Sequence, residues 1–113
     1  MHNGLITKVQ WKNLDTYTQL ANIGSEVGRA FKWKKAKIKD RADTAFFRAW
    51  ELFDATVNDT KNARKRKEID IAKELFADLY FDRNEYKETE SGLEKYFTDF
   101  AILARQFRDD NRH

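Results

Sequence analysis

The chain has 113 residues, with 22 Lys and Arg against 19 Asp and Glu, no Cys, no Pro and four Gly. That composition excludes disulfides, thiolate metal sites and a cysteine nucleophile, and leaves little of the Gly and Pro punctuation that hairpins need. A net charge of +3 is too small to argue for a polyanionic partner by itself, so any such argument rests on where the charges sit. No apolar run approaches the roughly 20 residues that span a bilayer, and no secretory signal is evident. The expectation is a soluble, cytoplasmic protein with no membrane partner.

Residues 1–14 show no sustained period and are expected to form an extended lead-in, with Leu5, Ile6, Val9, Trp11 and Leu14 available for packing. Residues 15–113 are expected to form a single domain. A first helix is predicted from Asp15 or Thr16, where Thr16 and Gln19 have capping-box spacing. Its apolar stripe is Tyr17, Leu20, Ala21, Gly24, Val27, Gly28 and Phe31. Each glycine costs about 1 kcal/mol relative to Ala inside a helix. With Ala21, Gly24 and Gly28 predict close approach of a second backbone, either the Ala-rich second helix or the same face of a second copy.

The second helix is predicted from about Asp40, with Ala42, Ala45, Phe46, Ala49, Phe53 and Val57 inward. The period breaks at VNDTKN, where Asn58, Asp59 and Thr60 all suit a turn or an N-cap. A third helix carries Ile69, Ala72, Leu75, Phe76, Leu79 and Tyr80. The polar stretch at 82–90 separates it from a fourth, predicted to open at Ser91 with an S-x-x-E box to Glu94. That last helix aligns Leu93, Tyr96, Phe97, Phe100, Ala104 and Phe107. Four amphipathic helices with short links make an all-α, antiparallel up-and-down four-helix bundle the expected fold.

Two basic clusters stand out. Lys32, Lys34, Lys35, Lys37, Lys39 and Arg41 gather where the first helix ends, an end that the helix dipole favours for cations. In the expected bundle the acidic link carrying Asp78, Asp82, Glu85, Glu88 and Glu90 shares this end, and the two groups are placed to complement each other either within a chain or between chains. The second cluster, Lys61, Arg64, Lys65, Arg66 and Lys67, opens the third helix, where the dipole disfavours cations; Glu68, Asp70 and Glu74 are close enough in sequence to relieve part of it. Arg105, Arg108 and Arg112 of the fourth helix are expected at the same end, giving either a phosphate-binding surface for RNA or DNA or a solvated basic face.

Trp33, Phe47 and Trp50 lie beside the main stripes and give the first two helices a second apolar edge. Broad burial within the bundle and contact with another subunit or protein are both consistent with it; base stacking on Trp33 is a third use. The only histidines are His2 and His113, which removes Glu-x-x-His di-iron sites, His-based zinc sites and interior Ser-His-Asp triads. No P-loop and no G-x-G-x-x-G occurs, and no cofactor is expected.

RDDNRH, Arg108 to His113, resembles the R-x4-6-H motif of the HEPN family of helical-bundle ribonucleases. The resemblance implies RNA cleavage at a dimer interface, in a prokaryotic defence or toxin–antitoxin system, with Arg108 and His113 as catalytic residues. The same six residues also read as a solvated polar tail. NIGSEVGRAFKWKK, AFFRAWELFDATVND and YFDRNEY are similar to segments of small prokaryotic all-helical proteins, a likeness over roughly residues 14–105 that implies helix boundaries and no activity. The leading functional expectation is a non-enzymatic module that self-associates or docks a protein partner, with a basic end toward RNA or DNA.

Overall fold

A computed structural model of the chain describes residues 14–110, with side chains for 14–106. The described residues form four helices and no strand: α1, Thr16–Lys35; α2, Lys39–Asp59; α3, Ala63–Tyr80; and α4, Glu90–Asp110. Their apolar faces meet in one core. Leu20, Ile23, Val27 and Phe31 come from α1, Phe46, Ala49 and Phe53 from α2, Ile69 and Phe76 from α3, and Leu93, Phe97 and Phe100 from α4. The inward stripe of α1 is turned from the expected one, since Ile23 and Ala30 are fully buried while Tyr17 is exposed. Leu5, Ile6, Val9 and Trp11 lie outside the described residues.

The helix starts are set by short polar side chains, though not always the expected ones. Asp15 caps α1: one carboxylate oxygen accepts from the Thr18 amide at 2.9 Å and the other from the Thr18 hydroxyl at 2.9 Å. No Thr16–Gln19 box is needed, and Gln19 is buried instead. Asn58 and Asp59 continue α2 rather than ending it. Asn62 caps α3 by accepting from the Lys65 amide at 3.0 Å. Thr89, not Ser91, opens α4, because its hydroxyl accepts from the Gly92 amide at 3.0 Å and its carbonyl from the Leu93 amide at 3.1 Å.

Two helices end alike. The Ile38 amide returns to the Trp33 carbonyl and the Lys37 amide to Lys34; at the end of α3 the Arg83 amide returns to Asp78 and the Asp82 amide to Leu79. Both are Schellman endings, with Lys37 at φ 62° and Asp82 at φ 56° where glycine is usual. The 82–89 link is then folded by a buried carboxylate, since Asp78 accepts from the Glu85 amide at 2.9 Å and the Tyr86 amide at 3.3 Å.

The two α1 glycines part company. A Cβ on Gly24 would lie 2.5 Å from Cβ of Phe97, so Gly24 admits α4 rather than the Ala-rich α2. A Cβ on Gly28 would meet nothing within 4 Å. Gly28 therefore makes no close approach among the described residues.

Candidate functional site

Most of the basic cluster at the end of α1 is bound into the fold, Lys37 alone being exposed with no side-chain partner among the described residues. Lys34 donates to Asp82 at 2.7 Å and to the Leu79 carbonyl at 3.3 Å, so a side chain of α1 closes the end of α3. Lys35 pairs with Glu90 at 3.1 Å and Lys39 with Asp43. Lys32 and Arg41 lie over the Trp33 ring, 5.1 and 4.9 Å from its centre. The acidic link thus meets this cluster within one chain, through Asp82 and Glu90. Asp78 turns inward instead, and Glu85 and Glu88 stay exposed.

Around the start of α3 the cations divide. Arg66 donates to the carbonyls of Thr60 at 2.8 Å and Lys61 at 3.0 Å, satisfying groups at the α2–α3 junction. Lys65 approaches Glu68 at 3.7 Å and covers the Phe100 ring at 5.3 Å. Lys61, Arg64 and Lys67 are exposed and have no ion-pair or hydrogen-bond partner for their side chains among the described residues. A depression of about 560 Å³ opens beside them, lined by Lys61, Arg64 and Lys65 but also by Asp15, Asp59 and Glu68. Asp70 and Glu74 lie further along α3 and pair with none of these cations. Arg105 is exposed on α4. The side chains of Arg108, Arg112 and His113 lie outside those described, so the motif shared with the HEPN family has no described geometry.

The expected aromatic edge separates into two places. Trp33 lies under Arg41 of α2 and borders a shallow hollow also lined by Arg29 of α1 and by Thr44 and Arg48 of α2. Phe47 and Trp50 instead flank Phe46, which also meets Phe76, Tyr80 and Phe81 of the α3 side with ring centres 4.5–5.1 Å away. Phe46 is buried, but Phe47 is 58% and Phe81 53% exposed. Lys73 covers Trp50 at 4.1 Å while pairing with Asp54, and Arg83 lies over Phe81 at 5.5 Å. Sequence reasoning missed Phe81, because it follows the last periodic residue of α3. Its signal was a large apolar residue at a helix end next to a polar link.

Two tyrosines carry the perturbed hydroxyls. Burial pushes the Tyr80 hydroxyl well above its usual range, and its hydrogen bond to Asp43, 2.6 Å, adds to this. The Asp43 carboxyl is held below its usual range, first by its bond to Lys39 and then by the one from Tyr80. Tyr96 is raised by burial and by the Glu68 carboxylate that accepts a hydrogen bond from its hydroxyl at 3.2 Å. Tyrosines held protonated against carboxylates serve here as hydrogen-bond donors between helices. Among the described residues no three His, Cys, Asp or Glu side chains converge to hold a metal, and no helix is long and apolar enough to cross a membrane. No protein-family model, curated protein or solved structure matches the chain.

Proposed function

We propose that the protein is a non-enzymatic four-helix interaction module that pairs with a second copy of itself through a ridge made by Phe47, Trp50 and Phe81. In this reading the helices run alternately up and down. Supporting it, Lys34 and Lys35 near the end of α1 reach Asp82 after α3 and Glu90 at the start of α4. Toward the opposite ends, Tyr17 of α1 and Lys65 of α3 both lie on Phe100 of α4.

The observation that carries the pairing is two phenylalanines, each more than half exposed, held on one buried ring. Rings fixed by such packing lose little conformational freedom on docking, the quality that makes aromatic anchors dominate interfaces. The charges beside them favour a like surface. Glu51, exposed and unpaired among the described residues, stands one helical turn along α2 from Phe47, while Arg83 covers Phe81 on the far side. In a two-fold pairing Arg83 of one copy attracts Glu51 of the other, and charges of opposite sign fix orientation.

Sedimentation velocity across micromolar concentrations tests this, with a concentration-dependent dimer as the expected result. Phe47→Asp is expected to weaken the dimer about 30-fold, the size of an aromatic hot-spot loss of roughly 2 kcal/mol. Its thermal melt measured as a monomer is expected to fall only slightly, because the ring it removes is more than half exposed and the new carboxylate meets only the modest repulsion of Asp43 and Glu51. A strict monomer at every concentration overturns the pairing.

A further inference from the structure

We infer that the outward face of the first two turns of α3, together with Lys61 just before its cap, binds single-stranded nucleic acid, with Lys61, Arg64 and Lys67 on its phosphates and Tyr86 under a base. The reasoning begins with what the neighbouring cations do. Lys65 and Arg66 have work inside the chain, at Glu68, at Phe100 and at two backbone carbonyls. Lys61, Arg64 and Lys67 have none among the described residues, and they recur every third position toward solvent.

These charges also sit where the fold least favours them. The first turn of α3 contains no acidic residue, so the positive end of the helix dipole and the cations add. An anion arriving on this face meets both fields at once. The carboxylates Asp15, Asp59 and Glu68 line the adjoining depression and make it a poor seat for phosphate. Lys61 and Arg64 also line that depression, but their side chains are exposed and bonded to none of its carboxylates, so they stay open to a phosphate arriving from solvent.

Lys67 also borders a second hollow, about 160 Å³, formed with Ile71 and Tyr86 and edged by Asp70 and Glu74. Ile71 and Tyr86 are 53% and 56% exposed. A tyrosine face beside a cation row is the arrangement that binds single strands, where bases stack on aromatic rings and phosphates follow the positive charge. Asp70 and Glu74 repel phosphate but accept hydrogen bonds from base N–H groups, the ring N–H of thymine and uracil included, which orients a strand with its base end toward Tyr86 and its phosphates toward Arg64. Backbone placement supports the ring, since the Tyr86 amide is held by buried Asp78.

Fluorescence anisotropy with labelled oligo-dT and oligo-U at a series of salt concentrations tests the inference. The parent is expected to bind with a log–log salt slope of roughly −2, three contacts at about 0.7 each. Arg64→Glu with Lys67→Glu is expected to weaken binding more than tenfold and flatten that slope. Tyr86→Ala is expected to weaken binding about tenfold with the slope unchanged, and Tyr86→Phe to retain affinity. The dT and U arms distinguish DNA from RNA by relative affinity. Absence of salt-dependent binding to both, equal binding to polyglutamate or to phosphatidylserine vesicles, or indifference to Tyr86→Ala overturns it. These residues are separate from Phe47 and Phe81, so loss of dimerisation in Phe47→Asp leaves this binding measurable and unchanged.

Discussion

Lys34, Lys35 and Lys39, at the end where α1 and α3 finish, each reach a carboxylate of the same chain, whereas Lys61, Arg64 and Lys67, around the start of α3, reach none among the described residues. The contrast follows from the backbone. Helix C-termini attract cations, and the acidic 82–90 link arrives at that end to meet them. At the start of α3 the dipole repels cations, and the nearest acids of the same helix are Glu68, engaged with Lys65 and Tyr96, and Asp70 and Glu74 further on. At one end Lys34 and Lys35 join helices, and at the other Lys61, Arg64 and Lys67 are displayed.

The sharpest way to break the contrast is to loosen the closed end. Asp78→Ala removes a fully buried carboxylate that gathers two amides of the link, and urea denaturation is expected to register a loss of about 2 kcal/mol. Asp78→Asn keeps one acceptor oxygen and is expected to lose roughly half as much. Nucleic-acid binding is expected to weaken in both variants, since Tyr86 is placed by the same carboxylate. A change within 0.5 kcal/mol for Asp78→Ala, the range of ordinary surface substitutions, removes Asp78 as the organiser of the link.

A smaller effect is expected from Lys34→Met, which keeps the aliphatic stem on the core but ends the bonds to Asp82 and the Leu79 carbonyl. The expected loss is about 1 kcal/mol, split between a half-exposed ion pair and an uncapped helix end. Raising salt is expected to reduce the difference only in part, because the bond to the carbonyl is not an ion pair. A difference that vanishes entirely at high salt assigns the whole effect to Asp82.

Much of the closed end was legible in the sequence and much of the open end was not. The apolar period of α2 and α3 marks Phe46, Ala49, Phe53, Ile69 and Phe76 as buried, because burial on one helical face leaves a direct trace at 3.6-residue spacing. The meeting of the Lys cluster with Asp82 and Glu90 also follows once four helices are assumed. Gly24 was legible as a close approach but not its partner, since a missing side chain does not specify what fills the space; Phe97 does. Caps slipped by a residue or two because Asp15, Asn62 and Thr89 compete with equally good neighbours, and geometry selects among them. Trp33 and Phe47 looked like one edge because both fall beside a stripe. They separate because α2 lies between α1 and α3 and presents different flanks to each. Phe81 and Tyr86 belong to a link, where no period exists to assign a direction.

The smallest expected effect has the most informative sign. Arg64→Glu replaces an unpartnered cation in the first turn of α3 with an anion, which the helix N-terminus favours by typically 0.3–1 kcal/mol. It also removes repulsion from Lys61 and Lys67, which offsets the new repulsion from Glu68 one turn on, and breaks no hydrogen bond among the described residues. The variant is therefore expected to unfold about 0.5 kcal/mol later than the parent in a urea titration at low salt, with the gain fading as salt rises. The same change at Lys34, whose cation is bonded, is expected to destabilise. A residue whose replacement strengthens the fold while weakening nucleic-acid binding has been placed by binding rather than by folding. If Arg64→Glu instead lowers stability, Arg64 has a structural partner, and the display of charge at the start of α3 loses its main support.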